Sequence, residues 1–298
     1  MNNNLSKISR NITIIIVTFK SEDIIEECLN NLGKQNKIII VENSSNKQLR
    51  YKIKKHYKNV DFIINKTNLG ISKSWNIGIK KTKTKYALIM NPDSFPEKNC
   101  IKELYLTAEK KKNSSIIFPL NTDKKGRISD EFGIFTPNGL SKCKIKNGLN
   151  KIDWCNGNLM LINKDSLNKI GLFDENFFFS GEETDLCKRI IDNNKENYLN
   201  SKAKNIHLGS KSINHEYDNR YNFLLNWHKS WSTFFFYKKN FSVNMAVKKT
   251  FINLLYSTVK AIFFLLSFNK KKMLNHVAII FGTLTSYLGF KSYYRIKY

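Results

Sequence analysis

The chain has 298 residues, of which 41% are hydrophobic and 13% aromatic, enough to bury a sizeable core and to exclude a disordered or low-complexity protein. Its formal net charge of +26 would suit a nucleic-acid binder, yet no acidic residue follows Asp218, while thirteen Lys or Arg lie between positions 220 and 297 among long apolar runs. Five scattered cysteines (Cys28, Cys100, Cys143, Cys155 and Cys187) without a C-x-x-C pair exclude a disulfide framework or a zinc site and read as buried thiols in a reducing compartment.

Residues 12–19 form a continuous β-branched run, as expected of a buried parallel strand. Ser21 is placed to cap a helix whose apolar positions Ile24, Ile25, Cys28, Leu29 and Leu32 share one face, and Gly33 stops it. Lys37–Glu42 is a second strand, running into Asn43-Ser44-Ser45, and residues 61–65 are a third. Asn68-Leu69-Gly70 then opens a helix through Ile71, Trp75 and Ile79. Tyr86–Met90 is a fourth strand, ending in Asn91-Pro92-Asp93. Repeated βα units predict a parallel sheet with right-handed crossovers, and ligands on such sheets bind at the carboxyl ends of the strands.

From about residue 114 the pattern changes to short strands and turns, with residues 153–162 reading as one strand and 165–170 as a short helix. A glycine- and phenylalanine-rich stretch from Gly171 opens a further helix that runs to about Asn193. Beyond Trp227 the chain is helical, with apolar runs at 251–268 and 276–290. The first run is about 18 residues with Lys260 near its middle and the second about 15 with polar breaks, short of the roughly 20 apolar residues of a membrane span. With the acid-free basic charge, this predicts helices lying on an anionic membrane surface, the alternatives being re-entrant insertion, packing on the rest of the protein and a merely solvated basic face.

Three groups of residues carry chemistry. Asp93, at a strand end, can hold Mg²⁺ or Mn²⁺, hard cations that prefer oxygen ligands and are often shared with a substrate phosphate; His207 can supply a second ligand. Glu182, Glu183 and Asp185 cluster at a helix start after Phe177, Phe178 and Phe179, which can desolvate a carboxylate and raise its pKa as a general base requires. Ser180-x-x-Glu183 also fits a capping box. Thr18, Glu42, Asn43, Asn68 and Gly70 all fall at strand ends or turns, where a nucleotide would bind.

In the order and spacing of residues 16–21, 41–45, 68–70 with Asn76 to Gly78, 91–94, 153–162, 171–178, 182–189 and 207–212, the chain resembles the inverting GT-A glycosyltransferases of the family 2 type, most closely their bacterial rhamnosyltransferase-like branch. The resemblance implies an α/β GT-A (Rossmann-like nucleotide-sugar-binding) domain over residues 10–226; the region over 227–298 matches less clearly, and its reading as a basic, apolar, helical, membrane-associating extension comes from its own charge and apolar runs. The resemblance also implies that Asp93 bridges a Mg²⁺ or Mn²⁺ ion and the donor diphosphate, with His207 reaching the metal. Glu183 matches the general base, and Thr18, Glu42 and Asn68 line the nucleotide pocket together with Gly70. Trp154, Asn156 and Gly157, with Glu182 and Asp185, lie near the acceptor and the donor sugar.

The implied activity is inverting transfer from a nucleotide-sugar donor, dTDP-rhamnose or a UDP-sugar, to a hydroxyl of a glycan or lipid-linked acceptor in surface polysaccharide synthesis. The enzyme is expected in the cytoplasm, peripheral to the inner face of the cell membrane, with no nucleic-acid partner. A non-catalytic nucleotide-sugar or glycan-binding module on the same fold is the alternative. The chain departs from the family pattern in having Glu42 where Asp is usual, a single carboxylate in the metal motif, and Glu rather than Asp at the base position.

Overall fold

The computed structural model describes residues 8–129, 131–209 and 219–295. The chain divides into two compact units, the first formed by residues 1–135, 140–173 and 186–214 and the second by 136–139, 174–185 and 215–298.

The first unit is built on β1 (Ile12–Thr18), all of whose residues are buried, with β2 (Lys37–Glu42) and β4 (Tyr86–Met90) pairing parallel on its two sides and β3 (Val60–Ile64) parallel on β2. Burial on both faces of the sheet explains the unbroken Ile-Val runs. Alternate residues feed opposite layers. Ile14, Ile16, Ile38, Ile40 and Leu88 pack with α1 (Glu22–Leu32), α2 (Lys47–His56) and α4 (Cys100–Lys110), whereas Ile15, Val17, Ile39, Val41 and Ile89 pack with α3 (Ile71–Lys81).

The sheet continues through β5 (Ser94–Pro96), β6 (Ser114–Thr122), β9 (Leu149–Ile152), β11 (Leu159–Asn163) and β12 (Glu196–His207) in the order β3-β2-β1-β4-β11-β6-β12-β5, with β9 also on β12. It is mixed rather than wholly parallel, because β11 runs antiparallel to both β4 and β6. The parallel strand order reverses between β1 and β4, so a cleft is expected outside their carboxyl ends.

A smaller sheet orders β10 (Trp154–Cys155), β7 (Phe132–Thr136) and β8 (Gly139–Lys142). The single strand expected at 153–162 is therefore two, β10 and β11, interrupted at Asn156-Gly157-Asn158. Ser21 precedes α1 but makes no side-chain cap; its hydroxyl turns back to Phe19. Helices α5 (Lys164–Ile170) and α6 (Glu182–Asp192) complete the central part of the chain. The five cysteines remain thiols, with no disulfide among them.

The second unit contains α7 (Asn219–Asn240), α8 (Val243–Leu266) and α9 (Lys270–Tyr287). Trp227 and Trp231 of α7 pack with Ala278 of α9, and Gly282 lets α9 approach α7 so closely that a Cβ there would stand 2.2 Å from the Trp227 carbonyl oxygen. Helix α8 starts earlier than the apolar run suggests: Ser242 caps it by accepting from Met245 N–H, and the first turns carry Val243 and Val247. At 24 residues, with mean hydropathy 1.3 over its most apolar window, it is long and apolar enough to cross a membrane by length and composition. Its buried residues, Ala246, Thr250 and Ser257, are small, while Ile252, Leu255, Val259, Ile262 and Leu266 are exposed.

Candidate active site

At the carboxyl end of β2, Glu42 is fully buried and both its oxygens are occupied by the adjoining loop: one accepts from the Ser44 backbone and hydroxyl, the other from Asn46 N–H at 2.7 Å. Glu42 thus shapes the Ser44–Asn46 turn. Asn43 ties this strand end to the Asn68-Leu69-Gly70 turn. Its Nδ2 donates to Asn68 Oδ1 at 2.9 Å and to the Gly70 carbonyl at 3.2 Å, and its Oδ1 accepts from Leu69 N–H at 3.1 Å and Asn65 Nδ2 at 2.9 Å. Gly70 takes φ +82° ahead of α3, a conformation that favours glycine. Thr18 ends β1 with a buried hydroxyl that has no hydrogen-bond partner among the described residues, and the same holds for the Trp75 indole N–H.

Asp93 comes just after β4, fully buried. The antiparallel register of β12 on β5 sets His207 opposite Ser94, so His207 Nε2 lies 3.3 Å from Asp93 Oδ1 while Leu208 N–H donates to the Asp93 carbonyl at 3.0 Å. The rest of the motif that begins at His207, residues 210–212, lies outside the described residues. Beneath the turn, burial and then the charge of Asp93 push the Cys28 thiol far up, so it stays protonated.

The donor set of one carboxylate and one imidazole suits Mg²⁺ or Mn²⁺. Among the described residues no group of three or more His, Cys, Asp or Glu could hold a metal, so the remaining ligands of such an ion would come from substrate phosphate and water.

The β10–β11 interruption reaches the same turn. The Asn158 carbonyl accepts from Asn91 N–H at 3.0 Å and from the Ser94 hydroxyl at 3.1 Å, which brings the Asn156-Gly157-Asn158 segment beside Asp93. Trp154 is buried with its indole N–H on the Ile134 carbonyl at 3.2 Å, and Asn156 N–H donates to the Glu131 carbonyl. The first unit therefore brings together Asp93, His207 and residues 156–158 in one cluster, and Glu42, Asn43, Asn68 and Gly70 in another.

Glu182, Glu183 and Asp185 belong to the second unit. Helix α6 starts at Glu182, and Ser180 sits at φ +69°, so Gly181, whose carbonyl accepts from Asp185 N–H at 2.9 Å, occupies the capping position expected of Ser180. Burial, and then the neighbouring Glu183 charge, hold the Glu182 carboxyl well above the usual carboxylate range. Asp185 is fully buried against Lys239 at 2.8 Å and Asn240 at 3.0 Å. Sequence reasoning missed Asn158 and Lys239; the polar break in an apolar strand run was the available signal for the first.

Residues 13–171, more than half of the chain, match glycosyl transferase family 2. The low-salt glycan biosynthesis hexosyltransferase Agl10 of Haloferax volcanii is 29% identical over 191 residues, covering 60% of this chain and 61% of that protein. This chain thus spans about three fifths of that relative's length. The rhamnosyltransferase WbbL of Escherichia coli is 27% identical over 201 residues, covering 59% of this chain and 75% of its own. Among solved structures, the mannosyltransferase PcManGT from Pyrobaculum calidifontis, in complex with GDP-Man and Mn²⁺, is similar with a TM-score of 0.55 at 9% identity, over 94% of this chain and 87% of that one. At such identity the likeness is one of fold, and the expected α/β GT-A architecture with a helical C-terminal region is the one observed.

Proposed function

Since the chain belongs to glycosyl transferase family 2, we propose that it is an enzyme moving a sugar from a nucleotide-sugar donor to an acceptor hydroxyl by a single inverting displacement. The acceptor oxygen attacks the anomeric carbon as the bond to the donor diphosphate breaks, and the electron pair leaves on the diphosphate. In this reading Glu183 takes the hydroxyl proton. The Glu182 carboxyl, raised by burial and then by the adjacent Glu183 charge, marks the segment as one of perturbed acid–base chemistry and supports a base role there.

Asp93 and His207 would hold Mg²⁺ or Mn²⁺, which when bound supplies positive charge against the developing diphosphate. The Asn43-braced turn at Asn68 and Gly70, with the Thr18 hydroxyl, would bind the nucleotide, Glu42 acting through the turn it shapes. Trp154, Asn156 and Gly157 would line the sugar sites, with Glu182 and Asp185 on the acceptor side. The observation that carries this reading is the Asp93–His207 pair, seated where the strand order reverses.

The reading extends to a catalytic domain over 10–226 and a membrane-associating region over 227–298, held at the cytoplasmic face of the cell membrane. The exposed apolar residues of α8 and the acid-free basic sequence around them support this. The names of the two relatives, a hexosyltransferase of glycan biosynthesis and a rhamnosyltransferase, support a hexose or rhamnose donor and a glycan product; in this proposal the donor is dTDP-rhamnose or a UDP-sugar and the acceptor a glycan or lipid-linked hydroxyl in surface polysaccharide synthesis. The test is release of nucleoside diphosphate from dTDP-rhamnose and UDP-glucose with and without Mn²⁺. Metal-stimulated turnover that Glu183→Gln abolishes supports the reading; no turnover with any donor favours a binding module.

A further inference from the structure

In the second unit, one ammonium joins the two ends of the segment that carries the carboxylates. Lys239 Nζ, in the last turn of α7, lies 2.7 Å from Asp174 Oδ2 and 2.8 Å from Asp185 Oδ1. Asp185 is wholly buried, so its charge requires a partner, and Asn240 Nδ2 adds a hydrogen bond at 3.0 Å. For Asp174, burial alone would raise the pKa, but the hydrogen bonds from Lys239 and from Asn176 N–H outweigh it and leave the carboxyl below its ordinary value.

The same helix holds the segment between these ends. Ser232 Oγ donates to the Phe179 carbonyl at 3.1 Å, Phe177 meets Phe235 edge-on, and the Phe178 ring stacks on His228 and also carries the Arg295 guanidinium 3.7 Å from its centre. The two residues after Phe179, Ser180 and Gly181, both take positive φ, +69° and +92°, immediately before Glu182 and Glu183, a conformation that Ser180 adopts only when its surroundings hold it. The direction in which those two side chains leave the backbone therefore depends on how the segment is tethered.

We propose that Lys239 is a positioning residue for sugar transfer: by bridging Asp174 and Asp185 it closes the segment and fixes the aim of Glu182 and Glu183. The inference rests on the assignment of Glu183 as base. A base must meet the acceptor proton within hydrogen-bond reach, so a displacement of about 1 Å, too small to unfold anything, lowers turnover. The nucleotide-binding candidates belong to the other compact unit, so donor binding should not change with it.

The test uses the full chain and measures nucleoside diphosphate release from dTDP-rhamnose and UDP-glucose for wild type, Lys239→Met, Lys239→Arg and Glu183→Gln. Lys239→Met is expected to lower kcat by about tenfold or more with donor KM within about twofold, and Lys239→Arg, which keeps charge and reach, to recover part of the loss. If Lys239→Met does not fold, Asp174→Asn removes one arm of the bridge, leaves Asp185 paired, and should give the same split with a smaller loss. Full kcat in these variants beside an inactive Glu183→Gln overturns the inference and leaves the base assignment standing. So does a loss of kcat matched by an equal rise in donor KM. A fully active Glu183→Gln, or a wild type without turnover, overturns the base reading and this inference with it.

Discussion

His207 Nε2, at the end of β12, stands 3.3 Å from Oδ1 of the buried Asp93, in the turn between β4 and β5. Two backbone relationships make the pairing specific: the β12–β5 register sets His207 against Ser94, and Leu208 N–H is bonded to the Asp93 carbonyl. The strands that flank the Asp93 turn and the strand that ends at His207 position the pair, the condition for ligating an ion with little reorganisation.

Asp93→Asn keeps the shape of the side chain and removes its charge, so nucleoside diphosphate affinity in Mn²⁺ should fall by at least about tenfold, with a smaller fall for His207→Ala. Calorimetric titration checks this. Without the ion the three proteins should bind alike.

Glu183→Gln should lower kcat by about 10²- to 10⁴-fold, the usual contribution of a positioned base, with donor affinity unchanged. Paired rate and binding measurements on one preparation check it.

The raised Glu182 pKa has a consequence for stability. The folded state holds this proton more tightly than the unfolded state, so the contribution is complete below the ordinary value of about 4.3 and is lost as pH rises through the higher folded value. The wild-type melting midpoint should therefore fall with rising pH relative to Glu182→Gln, which has no proton to lose. Melting curves between about pH 4 and about pH 8 would show the divergence; parallel curves contradict it.

Asn43→Ala removes the amide that braces two turns and leaves its buried partners without it, a cost of roughly 2–3 kcal/mol by urea unfolding. Nucleotide binding should weaken as well, because the Asn68-Leu69-Gly70 turn loses its anchor.

Ile252 and Val259 are 77% and 66% exposed on α8, so changing both to Asp should alter stability by no more than about 0.5 kcal/mol each. The same pair should abolish cosedimentation with vesicles containing phosphatidylserine, which wild type should show in a salt-sensitive manner. Retained binding contradicts a lipid-facing α8.

Burial decides how much of the fold is legible in the sequence. The first strands are doubly buried, so their Ile-Val runs stand out, and the turns after Glu42 and Met90 can be located from them. Strand β12 has no such signature. Asn197, Asn200 and Asn205 lie in its interior, each donating its Nδ2 to a partner from elsewhere in the fold: the Asp153 carbonyl, Thr107 and Asn121. Its alternation therefore reads as polar, although it stands between β6 and β5. The bridge from Lys239 to Asp174 and Asp185 is equally hidden, because a lysine at a helix C-terminus already has a sufficient local explanation in the helix dipole. The pair Asp93 and His207 was legible only through motif order; no local periodicity links them.

The most direct test of the central claim is thermal denaturation of wild type and Asp93→Asn with UDP, dTDP and GDP, each with and without Mn²⁺. A ligand that binds only the folded state raises the midpoint. The account predicts a rise with one nucleotide that needs Mn²⁺ in wild type and is lost in Asp93→Asn. A rise that is equal in both proteins, or no rise with any nucleotide, would contradict a metal-assisted donor site at Asp93.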